Sequence, residues 1–285
     1  MTYAPAQAPT GARRHAWFAV LVVGVVLFIA VERTLVATQN PNFVPSAILL
    51  GAAIVPAAFL TFVYGRRFNY DVGLPVVATA AFLGGIIGTV VAGTLEFDAQ
   101  RDLGFLPMVG VGLIEETSKL IIPLVVLIFF ARYRKQADGL LIGVAAGAGF
   151  AALETMGYAF VTLIQSKGSI TDTVDVLLLR GIMSPAGHMA WTGISATALF
   201  AAAEAGWTGR RVGGFVGAFV LAGIIPLLPG LTAYRGFYEL AVQGVVEGLV
   251  TVLLALAIGL ALAAGVALGN FVARPRSPQA VVESS

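Results

Sequence analysis

Cysteine is absent from the chain, which excludes a disulfide framework, a thiol nucleophile and any thiolate metal site. Charge is scarce as well. Only 11% of the 285 residues are Asp, Glu, Lys or Arg, against about 25% in soluble domains. Histidine occurs twice, at His15 and His188. What fills the chain instead is hydrocarbon: 58% of residues are hydrophobic and the mean hydropathy is +0.92, so lipid rather than water is the main solvent. The net charge of +2 comes from cations scattered through short loops. That pattern suits membrane orientation, and no nucleic-acid partner is expected.

Apolar runs bounded by charged or proline-bearing breaks predict spans at 17–36, 44–64, 74–95, 105–130, 139–164, 182–203, 212–230 and 241–272. Runs of this kind are long enough to cross a hydrocarbon core of about 30 Å. The expected fold is therefore an all-α polytopic membrane protein, a bundle of about eight transmembrane helices. The run 17–31 follows Arg13 and Arg14 as a signal peptide would, but no small-residue cleavage site precedes Glu32, so it is read as a retained helix. One side of the alternation holds Arg13, Arg14, Arg66, Arg67, Arg132, Arg134, Lys135, Arg210, Arg211, Arg274 and Arg276. The other holds Arg33, Arg101, Lys167, Arg180 and Arg235. Cytoplasmic loops collect positive charge, so this asymmetry of 11 to 5 puts both termini in the cytoplasm. Residues 1–16 and 273–285, with Pro5, Pro9, Pro275 and Pro278, are expected to be disordered cytoplasmic tails around a single transmembrane domain, 17–272. The abundant small residues of 139–164 and 241–272 favour close helix packing there.

The chemistry is expected among the ionisable residues left inside spans, because such residues are costly in lipid and generally mark pathways, relays or catalytic sites. Away from the span ends these are Glu115, Glu116, Lys119, Glu154, His188 and Glu247. At 1.5 Å per residue, Glu115, Glu116 and Glu154 lie about 15 Å from the outer surface and His188 about 10 Å. Three helices thus deliver ionisable groups to one layer. In Glu115-Glu116-Thr117-Ser118-Lys119 the i,i+4 spacing aligns Glu115 with Lys119, while Glu116 points about 100° away. Adjacent carboxylates repel, so one can serve as proton acceptor while the other is held ionised by Lys119 or a metal. A buried Glu–Lys pair that only helps helices pack is the plainer reading. Glu154 lies between Phe150 and Tyr158 on one helix face, as part of a packing stripe or as a shielded ligand. His188 is either a helix-to-helix hydrogen bond or a metal ligand and proton shuttle.

Together these residues resemble the PrsW-type intramembrane proteases, within the wider CAAX-protease and bacteriocin-processing superfamily. The resemblance is carried by Glu-Glu-x-x-Lys at 115–119, Phe-x-x-x-Glu-x-x-x-Tyr at 150–158 following Asp138-Gly139, and Gly187-His188, in order over roughly 105–200. It implies an endopeptidase of the prokaryotic plasma membrane that cleaves membrane proteins, typically anti-sigma factors or similar single-pass regulators. It implies Glu115 as general base, Glu116 as its partner or a metal ligand, Lys119 as orienting cation, and Glu154 and His188 as ligands of a divalent metal, zinc for preference. The chain departs from the pattern in one place. Many members carry a histidine on a later helix, whereas the seventh span, 212–230, contains no His, Asp, Glu or Asn. Glu247, with Gln243 one turn before it, is the candidate substitute. The missing ligand keeps a non-catalytic membrane scaffold open, and acidic residues at a shared depth suggest an ion-coupled transporter, against which the lack of a visible inverted repeat counts.

Overall fold

The structure, a computed structural model, describes residues 11–66, 68–104, 107–183, 186–225, 236, 239–240 and 247–255. Among these residues the only regular structure is helical. Arg67, Pro185, Arg235, Gln243, Arg274, Arg276, the tail segments 1–10 and 273–285, and much of the expected span 241–272 lie outside the described residues. The chain divides into two compact units, Met1–Leu227 and Leu228–Ser285.

The first unit contains α1 (Gly11–Thr38), α2 (Val44–Tyr64), α3 (Leu74–Leu103), α4 (Met108–Lys119), α5 (Ile121–Phe129), α6 (Gln136–Gln165), α7 (Ile170–Met183), α8 (Gly187–Glu204) and α9 (Gly209–Ile224). Among the described residues, four helices are long and apolar enough to cross a membrane: Arg14–Thr38, Pro41–Tyr64, Leu74–Leu103 and Gln136–Gln165. The distribution of side chains fits lipid as solvent. Lys119, Asp138 and Glu116 are buried, whereas Phe129 is 73% and Ile182 74% exposed; an apolar rim of that kind is stable where the surroundings are acyl chains.

Two departures from the expected spans matter for the site. The run 105–130 is not one helix: α4 ends at Lys119 and α5 starts at Ile121, with Leu120 between them. Pro123 accounts for the break, because its ring opposes the carbonyl four residues earlier, that of Lys119, and has no N–H to give it. Second, residues 170–181, expected as loop, and the first two residues of the expected span 182–203 form α7. Its Leu177 is buried with Phe28, Ile48, Ala52, Ile54 and Ala159, an apolar face strong enough to hold a helix that bears Asp172, Asp175 and Arg180.

Helix α6 is the hub. Gly139, Gly143 and Gly147 recur every four residues on its α8-facing side, where an added Cβ would lie 2.5 Å from Phe200 Cγ, 2.6 Å from Ala196 Cβ and 2.7 Å from the His188 carbonyl oxygen. Gly149 faces α3, where a Cβ would run into the Ala81 carbonyl. Missing side chains let the three backbones approach closely. At the start of α6, buried Asp138 accepts the Asp71 amide N–H at 2.6 Å and the Lys135 amide N–H at 3.1 Å. It thereby caps α6 and pins the segment before α3 to it. In the second unit, Gly236 and Gly248 are closely opposed, and the Thr251 hydroxyl donates to Glu239 at 2.9 Å.

Candidate active site

Helix α4 places its polar residues on its last turn, where the negative end of the helix dipole favours a cation. Lys119 is that cation, and its side chain is only 1% exposed. Its ammonium lies 2.9 Å from Glu115 Oε2, 2.9 Å from Glu116 Oε1 and 2.7 Å from His188 Nδ1. An ammonium has three N–H donors and no acceptor, so all three are used. The Phe150 ring closes the remaining side, its centroid 4.4 Å from Lys119 Nζ and 5.4 Å from the His188 ring centroid.

The two glutamates are not equivalent. Glu116 is 3% exposed, and both its oxygens are engaged, Oε1 by Lys119 and Oε2 by the Thr192 hydroxyl at 3.2 Å. Glu115 is 19% exposed and is held through Oε2 alone. Its Oε1 has no hydrogen-bond partner among the described residues.

His188 extends the network to α6 and α7. Because Nδ1 accepts from the lysine, Nε2 bears the ring hydrogen and donates it to Glu154 Oε2 at 3.0 Å; the opposite tautomer would set two donors against each other. The same Glu154 oxygen accepts from Arg180 Nη2 at 2.6 Å, and Arg180 Nε donates to the Thr155 hydroxyl at 3.1 Å. Arg180 also lies 4.2 Å from the Tyr158 ring centroid. Beside this end, a cavity of about 20 Å³ is bordered by Thr155, Arg180 and His188, enough for roughly one water with polar partners.

Glu115, Glu116, Lys119, Glu154 and His188 therefore form one connected cluster. Glu247 is exposed and belongs to the second unit. Three participants escaped the sequence reading. Arg180 falls between the expected spans, and Val174, Leu177 and Leu178 at helical spacing are the signal for α7. Thr192 lies one turn after His188, on the same face. Glu96, beyond the expected end of its span, lies close enough to Glu115, Glu154 and Lys119 for their charges to act on it. It is two turns past buried Gly88 on α3, at which an added Cβ would meet Phe150 at 3.0 Å. That i,i+4 series pointed it at the cluster.

Among the described residues no group of three or more His, Asp and Glu is arranged to hold a metal ion. Glu115 and Glu116 lie on the Nδ1 edge of His188 and Glu154 on the Nε2 edge, so neither edge combines the ring with a free set of ligands. A family model described as PrsW family intramembrane metalloprotease matches residues 72–228, a stretch that includes every member of this cluster. No curated protein and no solved structure matches the chain.

Proposed function

The chain belongs to the PrsW family of intramembrane metalloproteases, a multi-pass membrane protein of protease lineage, and from that premise we propose that it is an endopeptidase whose water-activating base is Glu115. The substrates are membrane-anchored regulatory proteins of the anti-sigma-factor kind, cleaved in a prokaryotic plasma membrane. The observation that carries this reading is the inequality of the paired glutamates: Glu116 is sealed by Lys119 and Thr192, while Glu115, 19% exposed, has no partner for Oε1 among the described residues.

A general base needs an accessible lone pair and a fixed orientation. Lys119 supplies the orientation at 2.9 Å, and Glu115 Oε1 supplies the lone pair. Water gives a proton to Glu115 as its oxygen attacks the peptide carbonyl carbon. The protonated Glu115 then returns that proton to the leaving nitrogen as the C–N bond breaks, which leaves a carboxyl on one fragment and an amine on the other. Glu116 keeps Lys119 charged and in place. His188 and Glu154 hold the far side of the lysine in register through α6 and α8. The description of the family implies a divalent metal, and zinc held by Glu154 and His188 is the form the resemblance suggests. As the donors are arranged, both ring nitrogens are already committed, and no step here runs through an ion.

The test compares membrane-protein N-termini in cells carrying the wild-type chain with cells carrying Glu115→Gln. New termini present only with the wild type establish proteolysis and name the substrate; loss of a general base lowers such a rate by about 10²–10⁴. Matching profiles under several envelope stresses, with both chains stably expressed, would select the scaffold reading instead.

A further inference from the structure

We propose that the resident cation of this centre is the Lys119 ammonium and that the wild-type chain holds no zinc there. The inference takes its mechanistic meaning from the proteolytic reading above, but its test does not depend on substrate.

The argument is one of donor accounting. A catalytic zinc takes about three protein ligands at roughly 2.0–2.2 Å and leaves one position for water. Here Glu115 Oε2, Glu116 Oε1 and His188 Nδ1 all converge on a single point at 2.9, 2.9 and 2.7 Å, and that point is Lys119 Nζ. These are charge-assisted hydrogen-bond lengths. The lysine thus fills the place that two oxygen ligands and one nitrogen ligand would offer an ion, and its side chain is only 1% exposed. On the other edge of the imidazole, Nε2 carries hydrogen toward Glu154, and Arg180 occupies the same Glu154 oxygen. A zinc at that edge would have to displace the ring proton and compete with a guanidinium held also by Thr155.

Charge points the same way. The carboxylates in direct contact, Glu115, Glu116 and Glu154, are already paired with two resident cations, Lys119 and Arg180. A divalent ion added to this set would bring positive charge to within a few ångströms of an ammonium in a low-dielectric interior, where like charges repel strongly. An ion would therefore require the lysine to leave, and Lys119 is boxed in by Phe150 and by three acceptors.

The experiment measures zinc per chain by elemental analysis of the full-length protein, purified in lipid nanodiscs without chelator, then incubated with micromolar zinc and desalted. Melting with and without EDTA is followed on the same sample. Wild type is expected to stay well below one zinc per chain with an unchanged melting midpoint. Lys119→Ala, which vacates the point on which three ligands converge, is expected to take up zinc stoichiometrically. About one zinc per wild-type chain, lost in His188→Ala, would overturn the proposal. A folded Lys119→Ala chain that takes up none would overturn the placement of the ammonium at an ion's position. If that variant does not fold, the wild-type stoichiometry and EDTA response decide alone. A zinc-free wild type that still yields the Glu115-dependent termini separates this inference from the proteolytic one, as does a zinc-loaded wild type that yields none.

Discussion

Asp138 belongs to the sequence pattern that suggested a protease, yet its contacts are those of a structural clamp, and the two roles can be separated. Its carboxylate is fully buried and accepts one backbone N–H from Asp71 and one from Lys135. In Asp138→Ala both donors lose their partner, and each buried donor left unsatisfied costs about 1–3 kcal/mol. Asp71 and Lys135 flank an accessible surface, so partial rehydration keeps the total nearer the low end, roughly 2–4 kcal/mol. At about 2–4 °C per kcal/mol for a chain of this size, the melting midpoint in micelles should fall by roughly 4–16 °C. Asp138→Asn keeps one acceptor oxygen and turns an amide donor toward the other N–H, so its loss should be about half as large. The clamp stands sixteen residues before Glu154 on the same helix, about 24 Å along the axis, so cleavage per folded molecule should persist in both variants. An unchanged midpoint in Asp138→Ala would refute the clamp. A cleavage-dead variant with a normal midpoint would make Asp138 part of the chemistry.

Gly149→Ala drives a methyl group into the Ala81 carbonyl and should cost about 1–3 kcal/mol or more by overpacking. Gly157→Ala on the same helix, with nothing within 4 Å of the new methyl, should leave the denaturation midpoint unchanged or raise it. Arg180→Met strips Glu154 of its 2.6 Å partner; with both side chains about a fifth to a quarter exposed, the solvent-screened loss should be about 1–3 kcal/mol. Arg180→Lys should recover only part of it, because one ammonium cannot reproduce the guanidinium's fork to Glu154 and Thr155. Thr192→Val removes the hydroxyl that donates to Glu116 and should lower stability by about 1–3 kcal/mol, while Glu115-dependent termini are retained. Their loss in a folded Thr192→Val chain would show that Glu116 takes part in the reaction.

Single-helix relations were legible in the sequence because the α-helical period alone sets them. That Glu115 and Lys119 share a face, that Glu154 lies between Phe150 and Tyr158, and that apolar runs of membrane length alternate with charged breaks all follow from 3.6 residues per turn and the thickness of a bilayer. The length of α7 was hidden because Asp172, Asp175 and Arg180 make it too polar to read as a span, although Leu177 buries its other face. The break at Leu120 was present in Pro123 but became significant only once it set where α4 ends. Which helices adjoin was a different matter. His188 is 69 residues from Lys119 and Arg180 26 from Glu154, and no local periodicity brings such pairs together. The first pair joins α4 to α8 and the second α6 to α7, so the packing of helices against one another decides both. The sequence by itself therefore determined a membrane chain and a set of ionisable side chains on known helix faces. Only the tertiary structure decided that one buried lysine would be shared by two glutamates and a histidine, because contact across helices depends on how nearly two backbones can approach.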